Sequence, residues 1–463
     1  MYMNHRLFSF VLMMLFGCGV SAQIREGVSA AYFAEETGHS AMSLKECMLY
    51  ALENSAKILV QQIEIDDARL ARRDAVLKAF TPSVEAGSYA YSNFGRSVDP
   101  ETNTYVSTTS FNNGYSATAG IALFDGFSAI NNAKIAKTSL MMGIEQEQKI
   151  RDEVCLATME AFYNVVYYTE LSQILDSQVT TLRDALALVK RQEELGQKGY
   201  ADVVQTDADL ADLEYNLIIA RNERANALIT LKDIMFWDED KELELSGGNP
   251  SVEALPLAGS AAIADFAAEH NPSVLIAGAE LEKAKLKLYT AKWGFSPRIS
   301  LNAGWSTSYY TYPGRPDYVA QPFDQQFRNN GGEYLQFSVT FPIFNRLQTF
   351  SNLRRMKNEC KRAETQYNSA VRQLRAEVER AVQDCNGAWS ALNQAERRES
   401  VQEEAWRLSV KQFEQGLISP IDFRKASDNL LGAKTARLSA LLKWKLKSSV
   451  VKYYDGVSYI DQF

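Results

Sequence analysis

The sequence is poor in the residues that carry chemistry. Its 463 residues include only three histidines and five cysteines, and neither His39 nor His270 has a cysteine or carboxylate at metal-ligand spacing. No glycine-rich phosphate loop follows a strand pattern, and no nucleophile elbow is present. Carboxylates are abundant, but Glu396, Glu399, Glu403 and Glu404 interleave with Arg397, Arg398 and Arg407, a pattern that predicts solvated helix faces. These absences argue against an enzyme, and no cofactor or metal is expected. Basic residues number 49 against 57 acidic, a net charge of -8, which argues against a nucleic-acid partner. Beyond the N-terminus no run of 18 apolar residues occurs, so no transmembrane helix is expected. A membrane can then be crossed only as β-strands.

The N-terminus predicts a secretory signal over residues 1–22. Arg6 precedes an apolar run from Leu7 to Phe16, and Val20-Ser21-Ala22 is an acceptable cleavage site before Gln23. Acylation at Cys18 is the alternative, disfavoured because Phe16 stands where a small residue is needed. Four cysteines follow the signal: Cys47, Cys155, Cys360 and Cys385. An exported chain permits disulfides. Cys155, however, shares a stripe with Met159, Phe162 and Val166, and Cys360 sits between Met356 and Ala363, so buried small hydrophobes are the expected role.

The most informative pattern is a duplication. Leu123-Phe124-Asp125 returns 220 residues later as Ile343-Phe344-Asn345. In each copy a glycine lies 72 residues beyond the Phe (Gly196, Gly416), and an Asp follows six residues after that (Asp202, Asp422). The intervening stretches are almost free of proline and poor in glycine. Each is long enough for a helix of about 100 Å, far beyond what a globular core holds. Seam positions repeat at 3 and 4, as in Leu353, Met356, Cys360, Ala363, Tyr367, Ala370 and Leu374, and again in Val203, Thr206, Leu210, Leu213, Leu217 and Ala220. That rhythm predicts helices packed side by side with slight supercoiling. The plan divides the chain into a first repeat over 23–236, a linker over 237–261 that lies against the middle of the rods, and a second repeat over 262–463. Each repeat is helix, two strands and a long helical hairpin.

The opening helices, about Leu44 to Lys78 and Ala262 to Lys292, are stopped by Pro82 and Pro297. The period then switches to two. Ile299, Leu301, Ala303 and Trp305 alternate with polar or small residues, as do Leu335, Phe337, Val339, Phe341 and Ile343. So do Tyr115, Ala117, Ala119, Ile121 and Leu123, whereas the strand after Pro82 alternates too weakly for its faces to be assigned. Strands of about ten residues with one apolar and one small polar face suit membrane barrel staves, and equally a soluble sandwich. Four strands cannot close a barrel, for which eight is about the minimum, so several chains would have to share one. Polar loops from Gly95 to Asn113 and from Tyr312 to Gly332 join the strand pairs, and Asp125 and Asn345 stand where they can cap the incoming helices.

In these pieces the chain resembles the TolC-type outer-membrane efflux proteins over nearly its whole length after the signal. The resemblance rests on the doubled Leu/Ile-Phe-Asp/Asn, the proline-led strands and the turns Gly196…Asp202-Val203-Val204-Gln205 and Gly416…Asp422-Phe423. The run Asn93 to Pro100 is similar to a loop of the Bacteroidetes branch. The resemblance implies a mainly α fold with a membrane β-barrel portion: a homotrimer whose twelve strands form one outer-membrane barrel in lipid and whose helices continue it as a periplasmic tunnel. It implies a passive exit duct in the outer membrane, most of its mass in the periplasm, joined through a periplasmic adaptor to an inner-membrane pump. The adaptor would dock at Gly196, Gln197, Lys198, Gly199 and Asp202 and at Gly416, Leu417, Ile418, Ser419 and Pro420. The strand-to-helix transitions would be Pro82, Asp125, Pro297 and Asn345. Asp422 would line the periplasmic constriction, although helix capping accounts for it equally well. The family pattern often has a second acidic residue three positions on; here Lys425 stands there and would pair with Asp422. The competing class is a periplasmic coiled-coil adaptor or scaffold, which also uses helical hairpins but does not enter the membrane as strands.

Overall fold

The computed structural model describes residues 41–98, 103–107, 109–238, 241–246, 259–313, 315 and 319–463. The expected signal, Cys18, His39, Pro100, Pro316 and residues 247–258 of the linker lie outside the described residues.

In chain order the first half comprises α1 (Leu44–Asn54), α2 (Ala56–Phe80), β1 (Ser83–Asn93), the short hairpin β2 (Arg96–Val98) and β3 (Tyr105–Ser107), β4 (Ser110–Phe124), α3 (Ser128–Glu194) and α4 (Tyr200–Met235). The second half comprises α5 (Ser260–His270), α6 (Pro272–Lys292), β5 (Arg298–Thr311), α7 (Phe323–Asn329), β6 (Gly332–Thr340), α8 (Gln348–Glu414) and α9 (Pro420–Tyr454).

The single opening helix expected in each half is in fact two. Ser55 breaks the first: its backbone turns extended (ψ 120°) while its N–H still donates to Ala51 O at 2.9 Å. Asn271 breaks the second, its side chain accepting from Ser273 N–H at 3.0 Å, with Pro272 at the first helical position. The rods α3 and α8 have 67 residues each, about 100 Å of helix. Above their middle they pack against α2 and α6, below it against α4 and α9. Objects this long and thin have no central core. Instead the apolar seams collect into separate clusters, the largest at mid-rod, where α1, Met159 and Phe162 of α3, Leu231 and Met235 of α4 and Leu243 meet. Cys47 and Cys155 are buried there, and burial pushes both thiols up to about 12, which suits packing and not reactivity. The segment after α4 joins this cluster: Trp237 packs on Tyr50 and Leu245 bridges to Met42. Of the carboxylates assigned to solvated faces, Glu399 departs, since it is largely buried against Arg437 of α9.

The four long strands form one antiparallel sheet in the order β1-β4-β5-β6, and β2 and β3 pair separately. Register settles the faces of β1. Val84 and Ala86 stand opposite Ala119 and Ala117, and so lie on the side of Leu301, Phe337 and Val339. Glu85, Tyr89 and Tyr91 lie on the other, polar side. The strand β6 ends at Thr340, short of the expected Ile343, because Pro342 has no N–H for the ladder; Ile343 N–H instead turns back to Phe341 O at 3.0 Å.

The loop between β5 and β6 holds α7, which sequence reasoning did not find. Because β6 begins at Gly332, opposite Ser306, the edge of β5 beyond that point has no strand partner. The buried Gln326 side chain takes the place of one. Tyr310 N–H donates to Gln326 Oε1 and Gln326 Nε2 donates to Tyr310 O, both at 3.0 Å. Asn330 Nδ2 donates to Ser308 O at 2.7 Å, and Phe323 and Phe327 lie against Tyr115, Trp305 and Tyr309 on the apolar face. Gln326→Ala removes both of these hydrogen bonds to the Tyr310 backbone, and the expected cost is about 2 kcal/mol. Faster hydrogen exchange at the Tyr310 amide, with mid-rod amides unchanged, is the expected result; unchanged exchange at Tyr310 contradicts it.

Candidate functional site

The two hairpin turns are built alike. At the end of α3, Gly196 N–H donates to Glu193 O and Gln197 N–H to Gln192 O, both at 2.8 Å; at the end of α8, Gly416 and Leu417 repeat the pair onto Phe413 and Gln412. This double return satisfies the last helical carbonyls and needs a left-handed residue, which Gly196 (φ +73°) and Gly416 (φ +71°) provide. An added Cβ at either would meet nothing within 4 Å, so only backbone conformation restricts them. Three residues after each glycine the returning helix is capped. Asp202 Oδ2 accepts from Gly199 N–H at 3.2 Å. Ser419 Oγ accepts from Asp422 N–H at 3.2 Å and donates to Asp422 Oδ2 at 2.7 Å, with Pro420 at the first helical position. Asp422 therefore acts as a cap partner in the single chain, and no ion pair joins it to Lys425 among the described residues; both are exposed.

The tips are unusual in what they leave uncovered. Leu195, Tyr200 and Val204 on one turn and Leu417 and Ile421 on the other are exposed. Directly behind them the packing is tight: Phe423 stacks on Phe413 (4.2 Å between centroids) and packs at a tilt against Trp406 (4.8 Å), joining α8 to α9. The same cluster includes Val189, Leu210 and Leu213, so the two hairpins share one apolar seam just above the turns.

A charged junction lies beside this seam. Arg424 of α9 pairs with Asp209 and Asp212 of α4 and with Asp428 of its own helix. The Asp209 side chain is only 3% exposed and also accepts from Gln205 Nε2 at 2.8 Å. Sequence reading passed over Arg424, which sits between Asp422 and Lys425 in a run of alternating charge. The available signal was position: one residue after Phe423, it stands beside the buried stripe of α9.

At the other end of the rods, Asp125 Oδ2 accepts from Ala129 N–H at 2.9 Å and Asn345 Oδ1 from Thr349 N–H at 3.4 Å, each three residues or fewer before its helix. Between side chain and helix lie two left-handed residues, Gly126-Phe127 in one copy and Arg346-Leu347 in the other. Glycine is needed only in the first, where a Cβ would meet Trp293 O at 2.8 Å and Ser296 Oγ at 2.9 Å; Arg346 is exposed. Pro82 and Pro297 each directly precede a strand. His270 ends α5 with its ring on Phe266, at 4.3 Å. Among the described residues no three His, Cys, Asp or Glu side chains converge as metal ligands, and no helix is long and apolar enough to cross a membrane.

The model of the outer membrane efflux protein family matches this chain twice, over residues 50–235 and 264–450. The fold is similar to that of the outer membrane protein VceC from Vibrio cholerae (14% identity, 90% of this chain and 96% of that one, TM-score 0.75). It is similar also to the outer membrane channel CmeC of Campylobacter jejuni (14%, 90% and 85%, 0.75). A third likeness is to the open state of the MtrE outer membrane channel of Neisseria gonorrhoeae (18%, 90% and 88%, 0.71). No curated sequence matches the chain at a significant level.

Replacing Arg424 with Leu leaves the buried Asp209 carboxylate with Gln205 alone, an expected cost of about 3 kcal/mol. Hydrogen exchange of residues 206–213 should accelerate in the variant while the sheet amides hold. Equal protection in both proteins would show that the junction contributes nothing to the seam.

Proposed function

The chain belongs to the outer membrane efflux protein family, and on that premise we propose that three copies assemble into one passive exit duct. The chain is an outer-membrane duct with a large helical part in the periplasm; the trimer, its lipid contacts and its pump partners are our reading. The observation that carries the reading is the sheet. Its edge strands β1 and β6 are each paired on one side only, and below the patch covered by α7 its apolar face is open along β6: Leu335, Phe337 and Val339 are 74%, 62% and 43% exposed. A soluble sandwich would cover that face with a second layer. Three four-stranded sheets joined edge to edge make a closed barrel of twelve strands, in which lipid covers the apolar face and water fills the inside. The two repeats of each chain then supply equivalent staves and rods around the duct.

A duct of this kind needs no reaction of its own. The duct supplies a path, and an inner-membrane pump supplies the work. The exposed apolar residues of the turns support docking of a periplasmic adaptor there, over Gly196 to Asp202 and Gly416 to Pro420. Asp422 and Lys425 then lie just inside the mouth, where three copies bring opposite charges together.

Arginine at Phe337 or Val339 should impair insertion at a cost of about 2–4 kcal/mol per site near the bilayer midplane, whereas arginine at Gln336 or Ser338 should be tolerated. Outer-membrane fractionation of the four variants measures this. Equal losses on both faces, or recovery of the parent protein as a soluble periplasmic species, contradict the duct.

A further inference from the structure

The polar face of the sheet has a second property that conduction of water and ions does not require. Along the four strands it carries only two charges, Glu85 and Arg298; the other positions are Ser, Thr, Asn, Gln, Ala, Gly and Tyr. All five strand glycines lie on this face, and two of them are covered by tyrosine rings from their direct cross-strand partners. Tyr89 stands opposite Gly114 and Tyr334 opposite Gly304. A Cβ added at Gly114 would come within 2.5 Å of Tyr89 Cε1, and one at Gly304 within 2.6 Å of Tyr334 Cζ. Each ring therefore lies flat on the wall, in the space the missing side chain leaves. Aromatic cover of strand glycines supports a sheet, but here the two tyrosines are 59% and 46% exposed, so the ring face turned away from each glycine stays open. Tyr91 lies beside Tyr89, nearly parallel to it, with centroids 5.9 Å apart.

We propose that Tyr89 and Tyr334, laid flat over Gly114 and Gly304, form an uncharged stacking surface on the duct wall for cargo with a planar apolar face. The proposal rests on the duct reading, which turns this face toward the lumen. Along β4 the two rings lie level with Gly114 and Thr118, about 13 Å apart at the usual rise, so three copies give two tiers of three rings. A flat ring offers a π-face without narrowing the passage. A nearly neutral wall makes no strong ionic contact that would hold a charged cargo back. Cargo can then transfer from tier to tier by weak stacking contacts of the kind aromatic side chains make with planar rings.

The test uses the full-length protein in detergent, with N-acetyl-tryptophan amide as the planar uncharged probe and N-acetyl-leucine amide as its control, read by saturation-transfer NMR titration. The same preparations are assayed for single-channel conductance in planar bilayers. Expected is weak binding of the tryptophan amide, about tenfold tighter than the leucine amide. That preference should be retained in the Tyr89→Phe/Tyr334→Phe protein and lost in Tyr89→Leu/Tyr334→Leu. If the leucine pair fails to insert, Tyr89→Gln/Tyr334→Gln, which matches the surrounding wall, makes the same test. A conducting parent protein with no preference for the tryptophan amide, or a conducting ring-free variant that keeps it, overturns the stacking surface and leaves the duct intact. A parent protein that never conducts overturns the duct reading itself, and the proposal with it.

Discussion

Everything in this structure depends on where the backbone hydrogen bonds of a four-stranded sheet go. Inside the sheet each strand pairs with the next, from β1 through β4 and β5 to β6, with one register irregularity at Ala122–Phe124. Its two long edges have no strand partner, and in hydrocarbon an unpaired N–H or C=O costs several kcal/mol. Within the chain the problem is solved once, locally: past the end of β6, Gln326 and Asn330 supply the donors and acceptor that β5 lacks. Among the described residues no comparable side chain covers the length of β1 or β6, and the proposed solution is another copy of the sheet. Assembly is thus a condition for the strands to lie in a membrane at all.

The helical part answers a different constraint. A rod of 67 residues cannot be stabilised by a central core, so it is held by seams of small and medium side chains along its length and by well-formed ends. The ends are where side chains are most narrowly specified. Left-handed glycines close α3 and α8, cap residues open α4 and α9, and a stacked aromatic group with the Arg424–Asp209 pair ties the hairpins together just behind the turns. Rigid packing directly behind an exposed apolar tip supports the docking proposed there, since a partner would meet a surface that is already ordered.

Much of this was legible in the sequence because duplication supplied an internal control. The equal spacings from Phe124 to Gly196 and from Phe344 to Gly416 fixed the length of the rods, and alternation fixed the faces of β4, β5 and β6. What was not legible depended on contacts distant in sequence. The face of β1 became assignable only through its register with Ala117 and Ala119. Both opening helices read as continuous: Ser55 has no proline beside it, and Asn271-Pro272, where proline starts a new helix, was passed over inside a longer apolar-periodic segment. Gln326 looked like an ordinary loop residue until an unpaired strand edge lay beside it. Arg424 and Glu399 were hidden in runs of mixed charge, where burial, which composition does not record, decides which charges matter. The flat tyrosines were hidden for the same reason, since a glycine in a strand does not reveal which ring will cover it.

The central claim is that the open edges of one sheet are closed by other copies of the same chain. Native mass spectrometry of the detergent-extracted protein tests it most directly. The account predicts a particle of three chains that persists after lipid is stripped away. A folded particle of one chain, with both edge strands intact and no partner, contradicts it.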